Sequence, residues 1–378
     1  AGDHDMAATA ITELTDMTFA GTSTAGDQLM LFQSMQPCSP YEYTPYNLDW
    51  SATMLAGSGL SSFAQAGDST GVLLGFTELN RQPVYLSPTL AQDEDRKPFT
   101  IVVGATGSGK TMTLIPLGIQ FSKIRTRAGI MTPVRFINFK QGADFTNAVR
   151  SRGGKVYNMD SDMADGIFDP LRVVDKVDAK DIAVQMLTEI IGADRSIPFA
   201  ENVLSQMLDY GIRQGATTTG TAIECAYQNY KDGNSGELPE NTDKVHDLII
   251  GYAKATELFR LIFGMSEDAP ALNMEEGLSL IQSGDRDLVP DQNKKSKDST
   301  MIQRIKQWVM RLTILGVGNT VRGKDGVVII DEAWAALGSG ASSIINQWGR
   351  LAREQRMNFV FGSQRAQEFI EAGLEGAV

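Results

Sequence analysis

The sequence predicts an α/β fold: a mainly parallel sheet flanked by helices, with a helical subdomain inserted between its two halves. Three observations carry this. An apolar, β-rich run at Phe99–Val103 leads into a glycine-rich loop and then a helical pattern. A second apolar run, Val327-Val328-Ile329-Ile330, ends in two carboxylates, Asp331 and Glu332. About 220 residues, much of them of helical periodicity, lie between the loop and the acid pair, far more than neighbouring strands of one sheet require.

Composition narrows the function classes. The chain has 378 residues, 42% of them hydrophobic and 21% charged. That is enough apolar material for a sizeable core and excludes a disordered or fibrous protein. No stretch approaches the roughly 18–20 continuous apolar residues of a bilayer span. The two cysteines, Cys38 and Cys225, and the two histidines, His4 and His246, are too few for a disulfide framework or an all-protein zinc site, and they fit a reducing cytoplasm. With 34 basic and 46 acidic side chains the net charge is −12. This disfavours sequence-independent nucleic-acid binding, which needs a basic face. It favours protein partners, or an anionic ligand handled by a few fixed groups and a metal ion.

Four zones follow in order. Residues 1–70 are rich in Ala, Gly, Ser, Thr and Met, with an aromatic patch at 41–46, and read as a remnant of, or lead-in from, an N-terminal domain. Residues 71–174 form the first half of the sheet domain. Gly71–Phe76 and Pro83–Leu86 are short strands, and Phe99–Val103 is a buried parallel strand. A helix runs from Lys110 to about Thr126 with a kink or early break at Pro116, and Val134–Phe139 is the next strand. Residues 175–320 read as mostly helical. Apolar residues at 182, 183, 186, 187 and 190 share one helix face. Similar runs are 203–212, 246–263 and 301–315, with polar loops at 232–242 and 290–300. The second loop carries Lys294, Lys295 and Lys297. Residues 321–378 return to α/β, with strands at 327–330 and 359–363 around a helix from Ser342 to Gln355. They are the second half of the sheet domain.

Gly104-Ala105-Thr106-Gly107-Ser108-Gly109-Lys110-Thr111 matches GxxxxGK[ST] without a mismatch, after a strand and before a helix. The glycines let the backbone wrap a phosphate chain. Successive N–H groups and the helix N-terminus point at the anion. Lys110 reaches the β- and γ-phosphates, and Thr111 offers its hydroxyl to Mg²⁺. The nucleotide-binding set is therefore residues 104–111.

The strand 327–330 delivers Asp331 to the carboxyl edge of the sheet, where ligands sit in open α/β folds. Asp331 joins Thr111 as a magnesium-site residue, and Glu332 orients the attacking water. Gln364, after the strand 359–363, is placed to touch the γ-phosphate or that water. Arg350, Arg353 and Arg356, three residues apart, share a helix face. One of them is either a finger on a neighbouring subunit's γ-phosphate or a member of a solvated ion-pair face. Trp334 and Trp348 read as packing residues.

Taken together, the strand–GATGSGKT–helix, Phe136-Ile137-Asn138-Phe139-Lys140, Gly153-Gly154, Phe168-Asp169-Pro170-Leu171, VVIIDEAW and Phe361-Gly362-Ser363-Gln364 resemble the RecA-like HerA–FtsK ATPases. Among these the chain is most similar to the large cytoplasmic ATPase of type IV secretion and conjugation machines, the CagE/TrbE/VirB component-four family, over about residues 70–370. The resemblance implies a RecA-like P-loop fold, ATP and Mg²⁺ as cofactors, and a C-terminal motor region. It also implies a self-oligomer, a hexamer, held against membrane components of the machine at the inner face of the bacterial membrane without crossing it. By the same resemblance Lys110, Glu332, Gln364 and Arg356 are the catalytic residues. The alternatives are a DNA-translocating or coupling motor of the same superfamily, and a nucleotide-gated scaffold with little turnover.

Overall fold

In the computed structural model the chain divides into residues 1–64 and 65–378. The described residues lie in the second unit: 66–369 except 79, 94–97, 106, 141, 193–196, 198, 234–237, 269–271, 275–276, 285–287, 290–300, 337–347, 350–351, 353, 365–366 and 368. The aromatic patch at 41–46, the Lys294–Lys297 loop, Thr106, Arg350, Arg353 and most of the 342–355 helix fall outside them.

Two short strands, β1 (Val72–Phe76) and β2 (Pro83–Leu86), pair antiparallel as a separate ribbon. A one-turn helix, α1 (Leu90–Asp93), leads to β3 (Phe99–Val103), α2 (Lys110–Phe121), β4 (Val134–Asn138), α3 (Asp144–Arg150) and β5 (Lys155–Asn158). Six helices follow: α4 (Pro170–Val173), α5 (Lys176–Ile191), α6 (Ala200–Arg213), α7 (Thr219–Lys231), α8 (Thr242–Ala255) and α9 (Glu257–Ile262). The chain then returns through β6 (Leu278–Gln282), α10 (Met301–Asn319), β7 (Gly326–Asp331) and β8 (Met357–Ser363). The main sheet runs β3-β8-β7-β4-β6-β5, every neighbouring pair parallel. The predicted parallel α/β sheet flanked by helices is therefore observed.

Alternation along the strands builds two cores. Val134, Phe136, Leu280, Val327, Ile329 and Val360 meet Leu114, Leu117 and Phe121 of α2 and Phe145 and Val149 of α3 on one face. Ile137, Ile281, Val328, Ile330, Phe359 and Phe361 meet the larger helical layer on the other. A parallel sheet covered on both faces needs apolar residues at nearly every strand position, and β7 and β8 are buried throughout. Trp348 is fully buried, in keeping with its packing assignment, and the Trp334 side chain lies outside the described residues.

Several boundaries differ from the sequence reading. The helix after the loop ends at Phe121 rather than near Thr126, and it passes through Pro116. Pro116 is exposed, and the carbonyl its ring leaves without an intrahelical donor belongs to exposed Met112, where water can satisfy it. The run 246–263 is two helices, not one: Thr256 is extended at φ −132° and ψ 106° and separates α8 from α9. The stretch read as mostly helical also supplies a sheet strand, β6, and the edge strand β5 likewise escaped notice. Asp169 ties the helical layer together. Its carboxylate accepts from the N–H of Leu171 at 3.0 Å, the N–H and hydroxyl of Thr219 at 2.9 and 2.7 Å, and the N–H of Gly264 at 2.8 Å. Among the described residues no helix is long and apolar enough to cross a membrane.

Candidate nucleotide site

Parallel pairing brings the carboxyl ends of all six strands to one edge. Val103 pairs with Ser363, Phe361 with Ile330, and Asp331 with Asn138. Residues just beyond these ends therefore converge, however far apart they lie in sequence.

The loop leaves β3 with the Gly104 N–H donating to the Ser363 carbonyl at 3.1 Å, and it turns with the Ser108 N–H donating to the Ala105 carbonyl at 3.1 Å. Gly107 (φ 79°) and Gly109 (φ 91°) hold the left-handed backbone that other residues adopt only with strain. At Gly104 a Cβ would lie 2.3 Å from Ser108 Oγ, so a side chain there would push the Ser108 hydroxyl aside. α2 begins at Lys110 with no acidic residue in its first turn, which leaves its N-terminal N–H groups and dipole free to attract an anion. Lys110 Nζ donates to the Gly104 and Ala105 carbonyls at 2.8 and 3.3 Å and is thus folded over the loop.

Thr111 follows, and its hydroxyl donates to Asp331 Oδ2 at 2.9 Å across 220 residues of sequence. The loop and the acid pair therefore belong to one site. Asp331 and Glu332 are both buried. Burial pushes the Asp331 carboxyl above the usual carboxylate range, and the neighbouring Glu332 charge pushes the same way. The Thr111 hydroxyl and the Glu332 N–H, 2.9 Å from Oδ1, pull against that. Among the described residues no three His, Cys, Asp or Glu side chains are placed to hold a metal ion together. A hydroxyl beside a carboxylate nonetheless suits Mg²⁺, which keeps most of its waters and takes few protein oxygens. The residues present thus fit a magnesium–nucleotide complex.

Glu332 has a left-handed backbone, φ 54°, and leads into a 3₁₀ turn, Ala333–Ala336. Its carboxylate is slung between the two neighbouring strand ends. Lys140 Nζ, beyond β4, lies 2.6 Å from Oε1, and Gln364 Nε2, beyond β8, lies 3.4 Å from Oε2. The 3₁₀ turn is fastened from the helical layer, where fully buried Arg311 donates from Nε to the Ala336 carbonyl at 3.1 Å and pairs with Glu189 at 3.4 Å. A cleft of about 730 Å³ between α5 and α6, lined by Val184, Glu189 and Phe199 among others, includes none of the loop or acid-pair residues.

Of the residues singled out by sequence, the structure brings together Gly104, Ala105, Gly107, Ser108, Gly109, Lys110, Thr111, Asp331, Glu332 and Gln364. It does not bring Arg356. That side chain was read as lying on the helix before β8. It stands instead in a left-handed turn (φ 51°) at the amino end of β8, the edge opposite the loop. There its guanidinium binds Asp325 Oδ1 at 2.6 Å and Asp93 Oδ1 at 3.4 Å. A strand of seven residues spans roughly 20 Å, so Arg356 cannot reach this chain's own loop. Sequence reasoning missed Lys140 as a site residue. The available signal was its place just past a buried strand, the same position that drew attention to Asp331 and Gln364.

A family model described as "AAA-like domain" matches residues 81–378. Among solved structures the chain is similar to VirB4 of Thermoanaerobacter pseudethanolicus, with 15% identity, 83% of this chain and 82% of that chain covered, and a TM-score of 0.57. This likeness shows a shared fold. A bacterial conjugative coupling protein, TrwBdeltaN70, matches at 12% identity over 82% of this chain and 72% of that one with a TM-score of 0.36, too distant a superposition to carry an inference. A search of curated proteins gave no match.

Proposed function

The chain belongs to the AAA-like domain family, and on that premise we propose that it is a magnesium-dependent ATPase powering a bacterial type IV secretion or conjugation machine. The observation that carries the enzymatic part is the 2.9 Å contact of Thr111 with Asp331, which unites a complete phosphate loop with an acid pair. The fold shared with VirB4 and the sequence resemblance support the setting. In this reading the motor domain is built from residues 71–174, from β6 (Leu278–Gln282) and from residues 321–378, with the helices α5 to α9 inserted between β5 and β6. The motor works as a self-oligomer, a hexamer, held by membrane components at the cytoplasmic face of the inner membrane.

The mechanism rests on positioning and charge. Main-chain N–H groups of Gly107, Gly109, Lys110 and Thr111, at the turn and the α2 N-terminus, hold the phosphate tail. Lys110 exchanges its loop carbonyls for β- and γ-phosphate oxygens. Thr111 and Asp331 would hold Mg²⁺, which when bound neutralises charge on those oxygens. Glu332 accepts a hydrogen bond from the attacking water and aligns it, and Gln364 places a donor beside the same point. No covalent enzyme intermediate is required.

Two variants test this, each followed by ATP turnover and by binding of a fluorescent ATP analogue. Lys110→Ala is expected to lose both. Glu332→Gln is expected to keep binding and lose turnover by about 100-fold or more. Hydrolysis retained in both variants overturns the site. Turnover measured with and without DNA separates this reading from a DNA-driven motor, which the net charge of −12 disfavours.

A further inference from the structure

We infer that Lys140 is a positioning residue for hydrolysis, acting through Glu332; this rests on the ATPase reading above. Three features of the structure support it. The first is the register. Asn138, the last residue of β4, pairs with Asp331, the last of β7. The residues that follow each strand therefore leave the sheet side by side.

The second is the turn that aims the lysine. The Asn138 side-chain oxygen accepts the Lys140 N–H at 3.1 Å, a local bond that bends the chain directly after the strand. The bend lets the lysine arm reach back to Glu332. The contact is short, 2.6 Å, and asymmetric: the Lys140 side chain is 42% exposed and that of Glu332 9%. An exposed ion pair contributes little to stability. Here, however, one partner is the nearly buried carboxylate on which the proposed chemistry depends.

The third is electrostatic. Asp331 and Glu332 are adjacent carboxylates, and the Glu332 charge acts unfavourably on Asp331. Two like charges this close repel, so a cation on Glu332 offsets a real cost. Lys140 on one carboxylate oxygen and Gln364 on the other hold Glu332 at the strand end. Lys140 thus fixes the direction from which Glu332 meets a water without itself holding the phosphate chain, which Lys110 serves.

The test is steady-state ATPase kinetics on the full chain for Lys140→Met, Lys140→Arg, Glu332→Gln and the double variant Lys140→Met/Glu332→Gln. Lys140→Met is expected to lower kcat by about 10-fold or more while KM for ATP stays within about 3-fold. Lys140→Arg, which keeps the charge, is expected to recover most of the loss. The double variant is expected to be no slower than Glu332→Gln alone, because a residue acting only through Glu332 has nothing left to position. Wild-type kcat in Lys140→Met overturns the inference. So does a raised KM at unchanged kcat, which would put Lys140 on the nucleotide, and so do additive losses in the double variant. An inactive wild type or an unimpaired Glu332→Gln overturns both this inference and the ATPase reading, whereas an impaired Glu332→Gln beside an unimpaired Lys140→Met overturns this inference alone. If Lys140→Met does not fold, Lys140→Gln carries the same comparison.

Discussion

Thr111 and Asp331 show how much one hydroxyl can matter. The Thr111 oxygen reaches the carboxylate at 2.9 Å from the first turn of α2, so its position is set by a helix and not by a mobile loop. Removing it leaves Asp331 buried with one fewer donor and takes one protein oxygen from the proposed metal site. Thr111→Ala is therefore expected to raise the Mg²⁺ concentration needed for half-maximal turnover and to lower kcat by about 10–100-fold. Thr111→Ser, which keeps the hydroxyl, is expected to stay within a few-fold of wild type. A Mg²⁺ titration of turnover reads both, and an unchanged midpoint in Thr111→Ala would remove Thr111 from the metal site. At this scale the sequence was informative because a phosphate loop is local: eight consecutive residues specify both its shape and its chemistry. Lys140 and Arg356 were not legible in the same way. The place of Lys140 past a buried strand marks it as near the sheet edge, but neither it nor an arginine before a strand carries a local mark of its partner. Only strand order reveals that the first meets Glu332 and the second meets Asp325 and Asp93.

At the scale of elements, α2 owes its seat to one small residue. Gly118 lies against the sheet, and a Cβ there would come within 2.4 Å of the Phe136 ring and 2.6 Å of Ile329 Cδ1. These are fully buried side chains of β4 and β7 with little room to yield. Glycine inside a helix ordinarily costs about 0.5–1 kcal/mol relative to alanine, so an exposed glycine would gain from substitution. Here overpacking outweighs propensity. Gly118→Ala is expected to lose about 1–3 kcal/mol in chemical denaturation and to weaken nucleotide binding, since α2 carries Lys110 and Thr111 at its start. A neutral or stabilising result would mean that α2 does not press on the sheet this closely. The elements also show why part of the fold escaped the sequence. β5 is four residues, Lys-Val-Tyr-Asn, too short for alternation to register, and β6, Leu-Ser-Leu-Ile-Gln, is a short, partly apolar segment that periodicity cannot tell from a piece of helix. Both acquire strand character from partners distant in sequence, β6 lying between β4 and β5. The long helices declared themselves because many residues repeat one local pattern.

At the scale of the whole sheet-and-helix unit, the site depends on a helical layer that contributes no phosphate-loop residue to it, and Asp169 is where that layer is tied. Fully buried, it receives three backbone N–H groups and one hydroxyl from three separate segments: the start of α4, the start of α7, and Gly264 beyond α9. Burial raises its carboxyl from the ordinary 3.8 to about 6 against the pull of those donors. Between about pH 4 and 6 the unfolded chain has released this proton while the folded chain still holds it, so folding is favoured on the acid side. That contribution, about 3 kcal/mol for a shift of this size, is lost as pH rises through 6. At neutral pH the carboxylate is ionised and four donors need it. Asp169→Asn keeps the shape but turns an amide N–H₂ toward backbone N–H groups, so it is expected to cost about 2–4 kcal/mol at pH 7. Because asparagine does not titrate, the stability gap between wild type and variant should widen as pH falls from 6 to 4, whatever the other carboxylates do. Urea denaturation of both proteins across that range reads the gap directly. A gap that stays constant or narrows on acidification would show that Asp169 does not hold its proton in the folded state, and that its four bonds, not its burial, set its charge.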